Sequence, residues 1–213
     1  MGSSLPLALA AIVAGSRPVR IPSLRIDVMP IHPFVLLALA LDGGLASALV
    51  GMAGILGAAA ARRPSPSGRR LAFNLITSVL STSAAAWIAH RLGVQTGDPA
   101  SQWLWPLTAA TAAYFAVGTG LVAAAISIEE REGYFATWNR SLRWTAVPYA
   151  VGLTVAVAAL SVCEVSYTAG MALTIAPCWC LILLYRTEAA RRKAPSAAGQ
   201  SDAAQSFSSA PEL

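Results

Sequence analysis

The sequence feature that most constrains the fold is an uncharged apolar run that ends in a cluster of arginines. Residues 43–61 carry no charged side chain. As a helix rising about 1.5 Å per residue, they would cover roughly the 30 Å hydrocarbon core of a bilayer. A stretch rich in Pro and Ser then prevents the helix from continuing, and it contains four arginines: Arg62, Arg63, Arg69 and Arg70. Arginines beside a membrane span predict a cytoplasmic loop.

Composition places the whole chain in the membrane class. Of its 213 residues, 56% are hydrophobic and 12% are charged, and the mean hydropathy is +0.60. Roughly 25% of residues are charged in ordinary soluble domains. The net charge of +5 arises from arginines at the ends of apolar runs, without a basic stripe carrying interleaved aromatic residues. This placement argues against nucleic-acid binding and for the lipid bilayer as the main partner.

The apolar segments predict an all-α membrane protein, a bundle of five or six transmembrane helices with one broken helix near residue 42. Spans are predicted at about 43–61, 71–90, 103–128, 144–162 and 167–185, within a membrane domain over 17–186. Residues 1–16 hold a short first span or a signal-like anchor, and this choice decides between six crossings and five. Residues 187–213 are too polar and too few to pack a core, so they are predicted to form a disordered cytoplasmic tail.

The basic residues orient these spans. Eleven lie in segments predicted to be cytoplasmic, one of which is a loop over 129–143, and four lie in segments predicted to be outside: Arg17, Arg20, Arg25 and Arg91. This bias predicts a multi-pass protein with a cytoplasmic C-terminus. Residues 19–28 alternate apolar and polar side chains around Pro22, which predicts an extended segment along the surface.

The break at Asp42 offers a first candidate site. A half-helix is predicted at 32–41, and an Asp before two glycines suits a cap whose carboxylate accepts backbone amides of the next helix. The other interpretation is an acidic residue at membrane depth that binds a cation or a polar ligand. The cap is favoured because a helix break requires such a sequence. Gly43, Ser47 and Gly51 then form a stripe of small residues for close helix packing.

The helix predicted over 71–90 carries many side chains that can form hydrogen bonds. Together with Asp42, the candidate ligand-binding residues are Asn74, Thr77 and Ser81. Such groups should face protein, because an unsatisfied polar group in hydrocarbon is costly. For Asn74, a hydrogen bond between helices is the simpler role.

Residues equipped for catalysis or metal binding are not recognised in the sequence. His32 and His90 lack a metal-ligand spacing, and Cys178 and Cys180 are two residues apart, on different faces of a helix. A phosphate-binding loop with its lysine is also missing. We therefore expect no catalytic residue, no metal site, no cofactor and no enzyme activity. Glu164 is predicted to be a solvated loop residue.

The order of the segments resembles a bacterial membrane domain found in front of HD-GYP phosphohydrolase and diguanylate cyclase (GGDEF) modules. The resemblance covers about residues 19–186 and rests on short motifs. These are the extended segment Ser23–Val28 before the broken helix Pro33–Arg63, the pairs Phe73-Asn74 and Leu92-Gly93, the stretch Tyr114-Phe115 to Gly120-Leu121-Val122, and the residues Trp138, Trp144 and Pro148. One position where that family often has Asn is Gly118 here.

The resemblance implies a sensor-like domain in a bacterial inner membrane. The sequence of the catalytic module does not follow, and two histidines are too few for a His/Asp phosphohydrolase site, so we expect a domain that stands alone and signals through a cytoplasmic or membrane partner. The leading expectation is a non-enzymatic sensory or regulatory module. The alternatives are a small-solute binding or transport component, suggested by the broken helix, and a structural subunit of a membrane assembly, which could also be an oligomer.

Overall fold

Helices dominate the structure, a computed structural model that describes residues 4–17, 19–21 and 26–175 together with residues 180, 183 and 187. In chain order the elements are α1 (Ser4–Gly15), β1 (Val19–Ile21), β2 (Ile26–Val28), α2 (His32–Asp42), α3 (Gly44–Ala61), α4 (Gly68–Arg91), α5 (Ala100–Glu130) and α6 (Tyr134–Cys163). Residues 167–175 are also helical. The strands β1 and β2 pair antiparallel, which agrees with the extended segment predicted for this part of the chain.

Four of the helices are long and apolar enough to cross a membrane: α3, α4, α5 and the part of α6 from Thr145 to Cys163. For the described residues this confirms the prediction of a helical, multi-pass membrane protein. α1 and α2 are apolar, but with 12 and 11 residues they are too short to cross a bilayer. The predicted span 167–185 starts in the helical residues 167–175, whereas most of its remainder and of the predicted tail 187–213 lies outside the described residues.

The connection between α5 and α6 is shorter than predicted. A loop was expected over 129–143, but α5 continues to Glu130 and α6 begins at Tyr134. Arg131 ends α5 in the left-handed conformation, with φ 57°. The prediction of a long loop was wrong because charged residues lower the hydropathy without preventing a helix. Arg140, in the exposed first turns of α6, pairs with Glu132 at 2.6 Å.

The half-helix α2 lies in the core of the bundle. Its eight consecutive residues Pro33 to Ala40 are all buried, as expected for a helix that is apolar on every side. It runs antiparallel to α3, since Ser47 Oγ donates a hydrogen bond of 2.9 Å to the Val35 carbonyl and Ile31 packs beside Gly54. The Asp42 end of α2 therefore lies beside the start of α3, and the His32 end lies about 15 Å deeper in the bundle.

Polar contacts define the two ends of the bundle. At one end, Arg70 of α4 pairs with Glu129 of α5 at 3.2 Å. At the other end, the backbone amide of Ala100, the first residue of α5, donates to the carboxylate of Glu164, just beyond α6. α4, α5 and α6 thus run up and down between these ends. We call the end that contains Arg62 and Arg70 the arginine end.

The hairpin of β1 and β2 lies at the arginine end. Val28 pairs with Val19, and the next residue, Met29, lines a small surface pocket together with Arg62 and Pro66. Arg17 precedes Val19 by two residues and so lies on this side as well. This position of the hairpin favours the arginine side for Arg17, whereas the sequence pattern predicted the opposite side. The physical reason is that α1 and α2, with 12 and 11 residues, are each too short to cross a bilayer.

Candidate functional site

A cavity of about 400 Å³ lies among α2, α3, α4, α5 and α6. Pockets for small molecules usually measure about 300–1,000 Å³. Along α4 the lining extends from Arg70 to Ser81, which is about 16 Å of helix. Ser81 lies near the middle of α4, so the cavity extends from the arginine end to about half the depth of the bundle.

The inner end of the cavity is formed by the first residue of α2. The His32 ring stacks on Tyr149 of α6 with ring centroids 3.9 Å apart, and it meets the Tyr114 ring of α5 edge-on at 5.7 Å. Gly152 of α6 permits this close packing, since a Cβ there would lie 2.8 Å from the His32 Cβ. The aromatic contacts thus hold the buried end of α2 in a defined position.

One wall of the cavity is a polar face of α4. Its residues have the spacing i, i+3, i+4 and i+7, which places them on one side of a helix: Asn74, Thr77, Ser78 and Ser81. Ser81 Oγ donates to the Thr77 carbonyl at 2.7 Å. Thr77 Oγ1 and Ser78 Oγ, in residues that are only 8% and 7% exposed, have no hydrogen-bond partner within the described part of the chain.

The Nδ1 atom of His32 is the third buried polar atom on this lining without a hydrogen-bond partner among the described residues. A buried polar group that is left unsatisfied costs about 1–3 kcal/mol. Three such atoms lie in residues that line this one cavity, so the interior of the bundle is unusually polar here. This concentration is what distinguishes the cavity from an ordinary packing defect, which is apolar and stays dry.

The facing wall belongs to α5, where Gly118 keeps the cavity open. A Cβ at Gly118 would lie 3.2 Å from both Ser81 Oγ and the Tyr149 hydroxyl. Thr119 lies next to it on the lining and accepts a hydrogen bond of 3.0 Å from the Trp138 indole nitrogen of α6. The cavity wall is thereby linked to the first turns of α6.

Two arginine side chains lie at the mouth of the cavity. Arg62 and Arg70 line it, and the lining residues include no Asp or Glu among those the structure describes. Glu129, which pairs with Arg70, lies at the exposed mouth. Farther out, a hydrogen bond from the Arg140 guanidinium lowers the pKa of Glu132 in the turn between α5 and α6.

The structure brings together three of the four candidate ligand-binding residues. Asn74, Thr77 and Ser81 share the cavity, whereas Asp42 lies at the opposite end of α2, where Gly43 occupies the N-cap position of α3 with φ 87°. Of the predicted packing stripe, Ser47 bonds to α2, and Gly51 lies against Ser78.

Sequence reasoning missed three residues of the site. Ser78 follows Thr77 and could have been found from its helical spacing. His32 and Tyr149 had no local signal, because only the tertiary structure brings the start of α2 to α6. Glu164 lies in an exposed turn, as predicted, and its carboxylate also accepts a hydrogen bond from the first amide of α5.

Neither a family model nor a curated protein nor a solved structure matches this chain. Among the described residues, no group of three His, Cys, Asp or Glu side chains is arranged to hold a metal ion. The function must therefore be inferred from the geometry of the cavity.

Proposed function

We propose that this chain is a non-enzymatic membrane protein of five crossings, since α1 is too short for a sixth, and that it binds a small polar solute in the cavity below α2. The observation that supports the proposal most strongly is the set of three buried polar atoms on one cavity: His32 Nδ1, Thr77 Oγ1 and Ser78 Oγ. The residues that carry these atoms line the cavity, and a polar lining favours a polar occupant over an apolar one.

The orientation of the protein makes this cavity open to the cytoplasm. The arginine end holds the clusters around Arg62 and Arg70, and the position of the hairpin favours the same side for Arg17. A larger excess of basic residues on one side strengthens the positive-inside argument. The proposal therefore includes a bacterial inner-membrane location with the C-terminus in the cytoplasm.

The contacts around the cavity favour sensing as the role of solute binding. Thr119 lines the cavity and holds Trp138, which lies in the first turns of α6 close to the exposed turn at Glu132. A solute that shifts Thr119 would thus move a surface at the cytoplasmic end, where a signalling partner could bind. The small-residue stripe does not support the third expectation, a structural subunit of an assembly, because Ser47 and Gly51 pack against helices of the same chain.

Transport is the second candidate function. A half-helix with one end near the middle of the bilayer is a common element of substrate sites in transporters. The N-terminal end of α2, at His32, lies at such a position. Uptake of a bound solute by proteoliposomes that contain the purified protein would favour transport. Binding without uptake would favour sensing.

Access of water to the cavity tests the proposal. Val122 lies on the cavity lining, whereas Ile76 lies on the surface of α4 and is 58% exposed outside the bundle. With the three native cysteines replaced by Ala, Val122→Cys should react with a membrane-impermeant maleimide added to the cytoplasmic face of membrane vesicles. Ile76→Cys, surrounded by lipid at a similar depth, should react far more slowly. Equal, slow reaction of both would contradict a water-filled cavity.

A further inference from the structure

We infer that the solute is a neutral molecule with a hydrogen-bonding group at each end, held between the Asn74 amide of α4 and the Tyr149 hydroxyl of α6. This inference rests on the proposed function and adds the chemical class of the ligand. Three features of the cavity support it: two polar groups that can reach a ligand, the apolar wall between them, and the pairing of the charges on the lining.

The Asn74 amide and the Tyr149 hydroxyl are the polar groups that a ligand can reach. Both residues line the cavity and are partly exposed. Neither group forms a hydrogen bond with the described residues. The oxygens of Thr77 and Ser78 differ in this respect, because they have almost no accessible surface. An amide and a hydroxyl can each donate and accept, so both can bond to a neutral polar group.

The two groups lie at different depths in the cavity. The Tyr149 hydroxyl lies at the level of Ser81, since a Cβ at Gly118 would be 3.2 Å from both side-chain oxygens. Asn74 precedes Ser81 by seven residues on the same face of α4, which places it about 10 Å nearer the arginine end. A ligand that bonds to both groups must therefore carry polar atoms at its two opposite ends.

The opposite wall, between these two depths, is apolar. Val122 and Ile126 follow Gly118 by one and two turns of α5 toward the arginine end, and both line the cavity. They cannot form hydrogen bonds, so the middle of the ligand is expected to be a hydrocarbon or aromatic part. A cavity of about 400 Å³ has room for such a molecule.

The charges on the lining favour a neutral ligand. Arg62 and Arg70 lie at the mouth, and both have partners: Arg70 pairs with Glu129, and Arg62 also interacts within the chain. At the inner end, the His32 Nδ1 atom has no acceptor among the described residues, so burial favours the uncharged imidazole. A charged ligand at this depth would lose its hydration without gaining an opposite charge.

Four probes built on one benzene ring test the inference: 4-hydroxybenzamide, benzamide, 4-hydroxybenzoate and 4-hydroxybenzylammonium. Each is added at neutral pH to purified Val122→Cys protein in detergent, with the native cysteines replaced by Ala, and protection of the new cysteine from N-ethylmaleimide is measured. 4-Hydroxybenzamide should protect at a concentration at least about tenfold lower than the two charged probes, because an unpaired charge in the cavity is costly. Benzamide lacks one polar end and should require about two- to tenfold more than 4-hydroxybenzamide.

Two conservative variants each remove one polar group of the site. Tyr149→Phe keeps the ring that stacks on His32, and Asn74→Leu keeps a side chain of similar shape. Each should raise the concentration of 4-hydroxybenzamide needed for protection about two- to tenfold. Tyr134→Phe and Asn139→Leu are the matched controls and should leave it unchanged, because these residues do not line the cavity. Tyr149→Phe should also keep the melting temperature of the parent protein, since its hydroxyl has no partner in the described chain.

The outcomes separate the inference from the proposed function. Equal or better protection by a charged probe would overturn the neutral ligand while leaving a solute cavity. Unchanged protection in either Tyr149→Phe or Asn74→Leu, or a lower melting temperature of Tyr149→Phe, would overturn a ligand held between these two groups. Absence of protection by any probe, in protein whose Val122→Cys still reacts readily, would overturn this ligand class. Failure of Val122→Cys to react at all would instead contradict the proposed function itself.

Discussion

The contact between Gly152 of α6 and His32 of α2 provides a quantitative test of how the inner end of the cavity is held. In Gly152→Ala, the new Cβ would lie 2.8 Å from the His32 Cβ and 3.4 Å from the Pro33 nitrogen. Neither atom is the end of a flexible side chain, so neither can rotate away. α6 and the start of α2 must separate, and we expect this overpacking to cost about 1–3 kcal/mol.

Gly120→Ala is the matched control. Gly120 also lies inside a long helix, but a Cβ there would meet only the Tyr134 hydroxyl, at 3.1 Å, which is the mobile tip of a side chain. Both substitutions gain about 1 kcal/mol of helix propensity on replacing Gly by Ala. The difference between the two variants therefore isolates the steric cost at His32.

The assay is the temperature at which each purified variant loses its monodisperse elution after heating in detergent. A change of 1 kcal/mol shifts the midpoint by about 2–4 °C for a chain of this size, so Gly152→Ala should melt roughly 2–12 °C below Gly120→Ala. Gly152→Ala should also change the rate at which Val122→Cys reacts in the cavity. Identical melting temperatures for the two variants would refute the close contact between α6 and the start of α2.

Two further predictions concern the arginine end. The hydrogen bond from Arg140 lowers the pKa of Glu132. The stabilisation from this pair should therefore be present at a pH above the ordinary carboxyl pKa and be lost as the pH falls through the lowered pKa. The difference in melting temperature between the wild type and Glu132→Gln should shrink on acidification. In topology mapping with an impermeant maleimide, Arg17→Cys and Ser65→Cys should react from one side of the membrane and Thr96→Cys from the other. Reaction of Arg17→Cys together with Thr96→Cys would contradict the position of the hairpin.

The long helices could be predicted because residues next to each helix end mark where the helix stops. The arginines and prolines after Ala61 end the apolar run, and the helix α3 is observed over Gly44–Ala61, close to the predicted 43–61. The half-helix predicted at 32–41 is observed over His32–Asp42 for the same reason. Where a charge lies on an exposed part of a long helix, as Arg140 does in α6, hydropathy predicted a loop instead.

The cavity could be predicted only in part. The polar face of α4 is visible in the sequence, so Asn74, Thr77 and Ser81 were candidates before the structure. The break at Asp42 placed a candidate site at the C-terminal end of α2, whereas the cavity lies at the N-terminal end. A sequence pattern marks where a helix stops but does not show which end lies in the core. His32 became part of the site through its stacking on Tyr149, 117 positions along the chain, a contact that no local pattern records.

The cavity follows from the length of α2 itself. With 11 residues, α2 fills about 16 Å of a core roughly 30 Å thick, while α4, α5 and α6 continue to the arginine end. The long helices therefore pack around α2 in one half of the bundle and surround unfilled space in the other. An apolar lining would favour closure of that space by collapse, whereas the hydroxyls of Thr77 and Ser78 favour a polar occupant. Extending α2 toward the arginine end would fill the cavity, so the start of α2 at His32 is the feature on which the proposed solute binding depends.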